Sequence, residues 1–91
     1  MNRPRLPIET LDLEFINAMM EIGKLGQLHH GEHHYQDIED RPKDRNILVH
    51  LADHYTSYRL KEPHDLGDTS YHLAAVAFNA MMEYYWYVRG K

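Results

Sequence analysis

Histidine dominates the chemistry open to this chain, with eight in 91 residues. The imidazole ring is a neutral-pH acid or base, a common metal ligand and a partner for phosphate. Four of the eight, His29, His30, His33 and His34, fall in one short segment around Gly31 and Glu32. On a helix, His29 shares a face with His33, and His30 with His34. Two imidazoles so placed can hold one metal ion, with Glu32 or another helix completing the shell. They equally suit contact with phosphate, or a solvated helix end whose rings favour the negative dipole terminus. His50 and His54 form a second pair one helical turn apart, with Asp53 beside His54. One of them should face inward near Leu51 and Tyr55, as a hydrogen-bonded core residue or as a ligand.

A quieter pattern lies further on. His72, Asn79 and Glu83 are spaced by seven and four, so they share one stripe of an otherwise apolar helix. A buried polar group is costly unless it finds a partner. The stripe therefore implies either a site facing histidines on other helices or a hydrogen-bond network that fixes helix register. Tyr84-Tyr85-Trp86-Tyr87 can stack on a base or serve core and oligomer contacts. No glycine-rich phosphate loop or nucleophile elbow is present. Cysteine is absent, which excludes disulfides and thiolate metal sites and is compatible with a reducing cytoplasm.

Three helices must position these residues, and the expected fold is an all-α, antiparallel three-helix bundle in a single domain over 1–91. Residues 1–7 are a proline-broken, extended lead-in. Helix one should begin near Glu9 or Thr10. Ile8, Leu11, Phe15, Ala18, Ile22 and Leu25 repeat at three and four, and the same step reaches His29 and His33. Gly23 and Gly26 weaken the helix but admit a close neighbour. Asp40 is a plausible cap for helix two, with Pro42 in its first turn and an end near Leu60. Its buried stripe should be Ile47, Leu48, Leu51, Tyr55 and Tyr58. Glu62 to Asp68 reads as a turn-rich connector, and Asp68 or Thr69 should cap helix three. That last helix is apolar nearly all round, which implies burial, with a homo-oligomer covering its second face.

The bulk properties narrow the partners. The net charge of −4 argues against general nucleic-acid binding, which needs a basic face. No apolar stretch is long enough to span a bilayer, so a cytoplasmic, membrane-free protein is expected. An acidic, histidine-rich chain suits a divalent cation, although an ordinary acidic protein has the same composition.

The motifs resemble a family of small phage-encoded helical domains, the N-terminal part of dATP/dGTP diphosphohydrolases. His30-Gly31-Glu32-His33-His34-Tyr35 keeps the Gly and final Tyr of that family's Tyr-Gly-x-Lys-Lys-Tyr-like segment, with histidines in place of both lysines. Asp53-His54-Tyr55, Lys61-Glu62-Pro63-His64-Asp65, His72-Leu73-Ala74 and Asn79 fall at matching separations. The similarity runs from Gly31 to Trp86. Ala75 stands where the family has a second histidine.

The resemblance implies a nucleotide or related phosphate ligand, and attack of water on a phosphoanhydride if turnover occurs. Such a reaction usually needs a divalent cation, Mg²⁺ or Mn²⁺. His54 and His72 would then contact phosphate or metal and, with Asp65, form the catalytic set. His33, His34, Tyr35 and Asn79 would bind the ligand. Helix one carries Glu9, Asp12, Glu14 and Glu21, but no second carboxylate cluster pairs with them. That gap keeps two alternatives open: a non-catalytic protein that sequesters a nucleotide signal in counter-defence, and a structural or adaptor oligomer.

Overall fold

The computed structural model of the chain describes residues 11–30, 35–41 and 46–91; the side chains of His29, His30 and Asp37 lie outside that description. The expected lead-in, Glu32, His33, His34 and Pro42 also fall outside the described residues. Among the described residues there are three α-helices, α1 (Leu13–His30), α2 (Ile47–Arg59) and α3 (Ser70–Val88), with a short 3-10 turn at Tyr35–Asp37. No strand occurs among the described residues, so the all-α expectation holds.

Each helix starts where a side chain can replace missing backbone acceptors. Asp12 Oδ1 accepts from the amides of Glu14 at 3.0 Å and Phe15 at 3.3 Å, and α1 starts at Leu13; the expected start at Glu9 or Thr10 lies outside the described residues. Asn46 Oδ1 accepts from Leu48 and Val49 at 3.1 and 3.2 Å. Asn46, not Asp40, is therefore the cap of α2; Asp40 lies 3.4 Å from Lys91 Nζ instead. At α3 the cap position is Thr69, but Asp68 supplies the side-chain acceptor, 2.9 Å from Ser70 N.

The helix ends share one geometry with two different residues. Lys61 N bonds Tyr58 O and Glu62 N bonds Ser57 O, both at 3.0 Å. Gly90 N bonds Tyr87 O and Lys91 N bonds Trp86 O, again at 3.0 Å. Both are Schellman closures, which need a left-handed residue just past the helix. Gly90 takes φ +72° without a Cβ to clash, whereas Lys61 takes φ +60° with one.

α3 is the central element and packs against both α2 and α1. Ala74, Ala75, Trp86 and Ile47 are buried. Gly23 lets α1 come close to α3: a Cβ there would lie 3.0 Å from the Phe78 ring. Gly26 meets nothing within 4 Å, so only one of the two glycines marks a close approach. Tyr71 on α3 donates to Glu21 on α1 at 2.8 Å. Arg41 forks onto both Glu83 oxygens, at 2.6 and 3.0 Å, and its Nε reaches Lys91 O at 2.6 Å. The segment before α2 is thereby tied to the far half of α3.

Two burial expectations need correction. Of the expected α2 stripe, Ile47 is buried and Leu51 and Tyr58 are half-buried, but Leu48 and Tyr55 are exposed. The α2 face is narrower than its apolar residues suggest, because it meets one helix side. Likewise α3 is not covered all round: Tyr84 and Tyr87 are 69% and 76% exposed, and Val88 is exposed too. Two neighbouring helices cannot enclose a third completely.

Candidate functional site

Three histidines converge where α2, the connector and α3 meet. His54 comes from the middle of α2, and His72 from the first turn of α3. His64 comes from a tight reverse turn closed by His64 N to Gly67 O at 3.1 Å and Gly67 N to His64 O at 3.0 Å. One ring nitrogen from each lies within 4.8 Å of the other two. The ring centroids are 5.2 Å apart for His54–His72, 4.9 Å for His64–His72 and 5.8 Å for His54–His64.

Hydrogen-bond partners assign the tautomers. His72 Nε2 lies 3.1 Å from Pro63 O, which can only accept, so that nitrogen carries the proton. In the neutral ring, Nδ1 of His72 then holds a lone pair. His54 Nδ1, 2.9 Å away, donates to it, and the lone pair of His54 falls on Nε2. His64 works the other way round. Its Nδ1 accepts from Leu66 N at 3.0 Å, so its proton sits on Nε2. The cluster therefore offers one imidazole base and one imidazole N–H donor.

Electrostatics favours the uncharged form of His54 and His64. Burial pulls the His54 pKa below the ordinary imidazole value; neighbouring His72, His64 and His50 lower it further, and Asp53 opposes them. Burial also lowers His64, with His72 adding to the effect and Asp65 opposing it. A neutral imidazole is the form that accepts a proton or ligates a metal.

His54 and His64 border a cavity of about 600 Å³. It runs between α1 and the α2–α3 pair, with apolar walls such as Ile22, Phe78 and Met82. Its polar lining includes Lys24, His50, Asp65 and Asn79. An apolar cavity with a few convergent polar groups is the usual form of a small-molecule site.

The sequence expectations land unevenly on this geometry. His54 and His72, which the family resemblance named together, lie with their Nδ1 atoms 2.9 Å apart. Asp65 is exposed and borders the cavity next to His64. Asn79 is buried and borders it too, with one amide N–H donated to Ala75 O at 2.8 Å. Tyr35 lines the cavity edge-on to Phe78 and Tyr85. His33 and His34 lie outside the described residues. Glu83, the last member of the polar stripe, is neutralised by Arg41, which holds its carboxyl below the usual range. The stripe therefore has three fates: His72 in the cluster, Asn79 on its own helix, Glu83 in an ion pair. In the aromatic run, Trp86 is core, and Tyr84 and Tyr87 face outward.

His64 and Lys24 are the residues that sequence reasoning passed over. His64 looked like part of a connector. Its signal was a histidine in a short turn joining the two helices that carry His54 and His72.

Fold and site together define a small all-α protein that presents an imidazole cluster beside a cavity of about 600 Å³. The chain matches the family described as "dATP/dGTP diphosphohydrolase, N-terminal" over residues 1–91, and belongs to that family. No curated protein and no solved structure matches it.

Proposed function

We propose that this domain binds a purine deoxynucleoside triphosphate in the cavity, with its phosphates toward His54, His64 and His72, and hydrolyses it to the monophosphate and pyrophosphate. The observation that carries the reading is the placement of His54 and His64 on the wall of a cavity large enough for a nucleotide, in a chain of this family. Phe78 and the methionines offer apolar surface to the base, and Lys24 offers a cation to the phosphates. The water oxygen bonds to the α-phosphorus as the bond from that phosphorus to the bridging oxygen breaks. His54 Nε2 takes the proton of the water, and pyrophosphate leaves. His64 Nε2–H donates to a phosphate oxygen, and Asp65 steadies His64. A divalent cation, when bound, supplies charge neutralisation for the phosphates. Tyr35 and Asn79 orient the ligand.

The test is incubation of the chain with dATP and dGTP, each with Mg²⁺, Mn²⁺ or Zn²⁺, followed by pyrophosphate assay. Release abolished in His54→Gln is the expected result; no release with any metal removes the hydrolytic reading. A second reading has its own support. Among the described residues lining the cavity, Asp65 is the one carboxylate, fewer than helical pyrophosphohydrolases use. A non-catalytic domain that sequesters a nucleotide fits that poverty, and calorimetry with dNTPs and cyclic nucleotides decides it. Binding without turnover selects sequestration; no binding leaves the adaptor role.

A further inference from the structure

We infer that His54, His64 and His72 form a three-imidazole site for a divalent ion of the Zn²⁺ and Co²⁺ class, in preference to Mg²⁺ or Mn²⁺. The inference rests on the proposed nucleotide site for its place but replaces the roles of two of its rings: with the ion bound, His54 and His64 are ligands and no longer serve as base and N–H donor.

Geometry is the first ground. Zn–N bonds of about 2.0–2.1 Å in a tetrahedron put ligand nitrogens roughly 3.3 Å apart. The ring nitrogens here lie within 4.8 Å of one another, and the closest pair is 2.9 Å apart. Shifts of about an ångström reach the coordinated spacing, which side-chain torsions can supply. The three donors come from α2, a closed turn and α3, so the fold itself has already brought them together.

Donor chemistry is the second. Three neutral nitrogens and no carboxylate make a set that Mg²⁺ binds poorly, since it requires oxygen ligands in an octahedron. Zn²⁺ and Co²⁺ accept three imidazoles and leave a fourth position for water or a ligand oxygen. That position would face the cavity that His54 and His64 line.

Support for the ligands is the third. His72 is 7% exposed and donates Nε2–H to Pro63 O, the backbone contact that commonly fixes the orientation of a metal-bound histidine. Its Nδ1 is thereby directed to the cluster as a ligand. His54 gives up its hydrogen bond to His72 and ligates instead. His64 must change most. A neutral imidazole has one N–H, so while Nδ1 accepts from Leu66 N, Nε2 is protonated and cannot ligate. Metal binding therefore breaks the Leu66 N–His64 Nδ1 bond, and this gives the site a signature of its own.

The test uses the full 91-residue chain, stripped with a chelator, and no nucleotide. Co²⁺ should bind at one equivalent with the intense visible bands of four-coordinate geometry. Zn²⁺ should displace it, and excess Mg²⁺ should not. In ¹⁵N NMR, the ring nitrogens of His54, His64 and His72 should shift on Zn²⁺ addition, and the Leu66 amide should move with them. His54→Gln and His64→Gln should each weaken binding by about 100-fold or more, with helical content checked by circular dichroism. Metal shifting only the rings of the 29–34 segment would overturn the inference. So would variants that bind as tightly as the parent, or equal competition by Mg²⁺. Zinc bound at these rings with no dNTP bound or hydrolysed would sustain the site and remove the proposed function. Mg²⁺-driven hydrolysis with no zinc bound would do the reverse.

Discussion

At the scale of the residue, His72 sets the chemistry of its neighbours. Pro63 O fixes its proton on Nε2, and the exposed lone pair on Nδ1 then dictates the tautomer of His54. A single backbone carbonyl so determines which nitrogen of a ring on another helix is basic. The same burial that orders the cluster makes protonation unfavourable, and this has a measurable sign. His54 and His64 have folded pKa values below that of free imidazole, about 6.5. Above that pH both folded and unfolded chains hold these rings neutral, and stability is at its full value. As pH falls below it, the unfolded chain takes up protons first and stability is lost. Urea midpoints measured from pH 8 to pH 5 should fall on the acid side, and the fall should be shallower in His54→Gln. A flat profile would mean the rings are as easily protonated folded as unfolded. His72 stood out in sequence because a polar residue on an apolar stripe demands a partner, and the family resemblance named His54 beside it. His64 did not, since nothing in a connector's composition says which way a turn points its side chains.

At the scale of the element, helix ends were the least legible feature. Asp40 and Pro42 look like a helix start, yet Asn46 caps α2, because capping depends on which side chain meets the free amides. The two Schellman closures offer a direct comparison. Gly90 suits its left-handed position, and Lys61 does not. Replacing Lys61 by Gly removes a Cβ clash worth about 1–2 kcal/mol and adds roughly 0.5–1 kcal/mol of unfolded-state entropy. Lys61→Gly should therefore stabilise the chain by about 0.5–1 kcal/mol. Equilibrium denaturation checks it; a loss of stability would mean that Lys61 makes a compensating contact, for which the nearby Tyr58 ring, 5.2 Å from its Nζ, is the candidate.

At the scale of the whole molecule, the described chain leaves much apolar surface uncovered. Leu48, Val49 and Tyr55 on α2, and Tyr84, Tyr87 and Val88 on α3, are all exposed, while Ile47, Ala74, Ala75 and Trp86 are the buried apolar residues among those described. A small core with broad apolar flanks is a common reason for subunits to associate. We therefore expect a homo-oligomer, as the sequence suggested. Sedimentation equilibrium should return a multiple of the 10.8 kDa chain, and Leu48→Glu with Val49→Glu should shift it toward the monomer without loss of helix. A monomer at all concentrations would sink the expectation. Among the described residues, no helix is long and apolar enough to cross a membrane.

By itself the sequence determined the all-α class and the approximate places of the helices among the described residues, which follow from local periodicity. The polar stripe of the last helix followed from the cost of burying an unpartnered polar group. Tertiary structure alone decided the remainder: His64 as the third ring, Glu83 spent on Arg41, Asn79 turned back to Ala75, and a cavity beside the cluster. Each of these depends on which residues far apart in the chain are brought within bonding distance. A periodic pattern records which face of a helix is buried, but not what it is buried against.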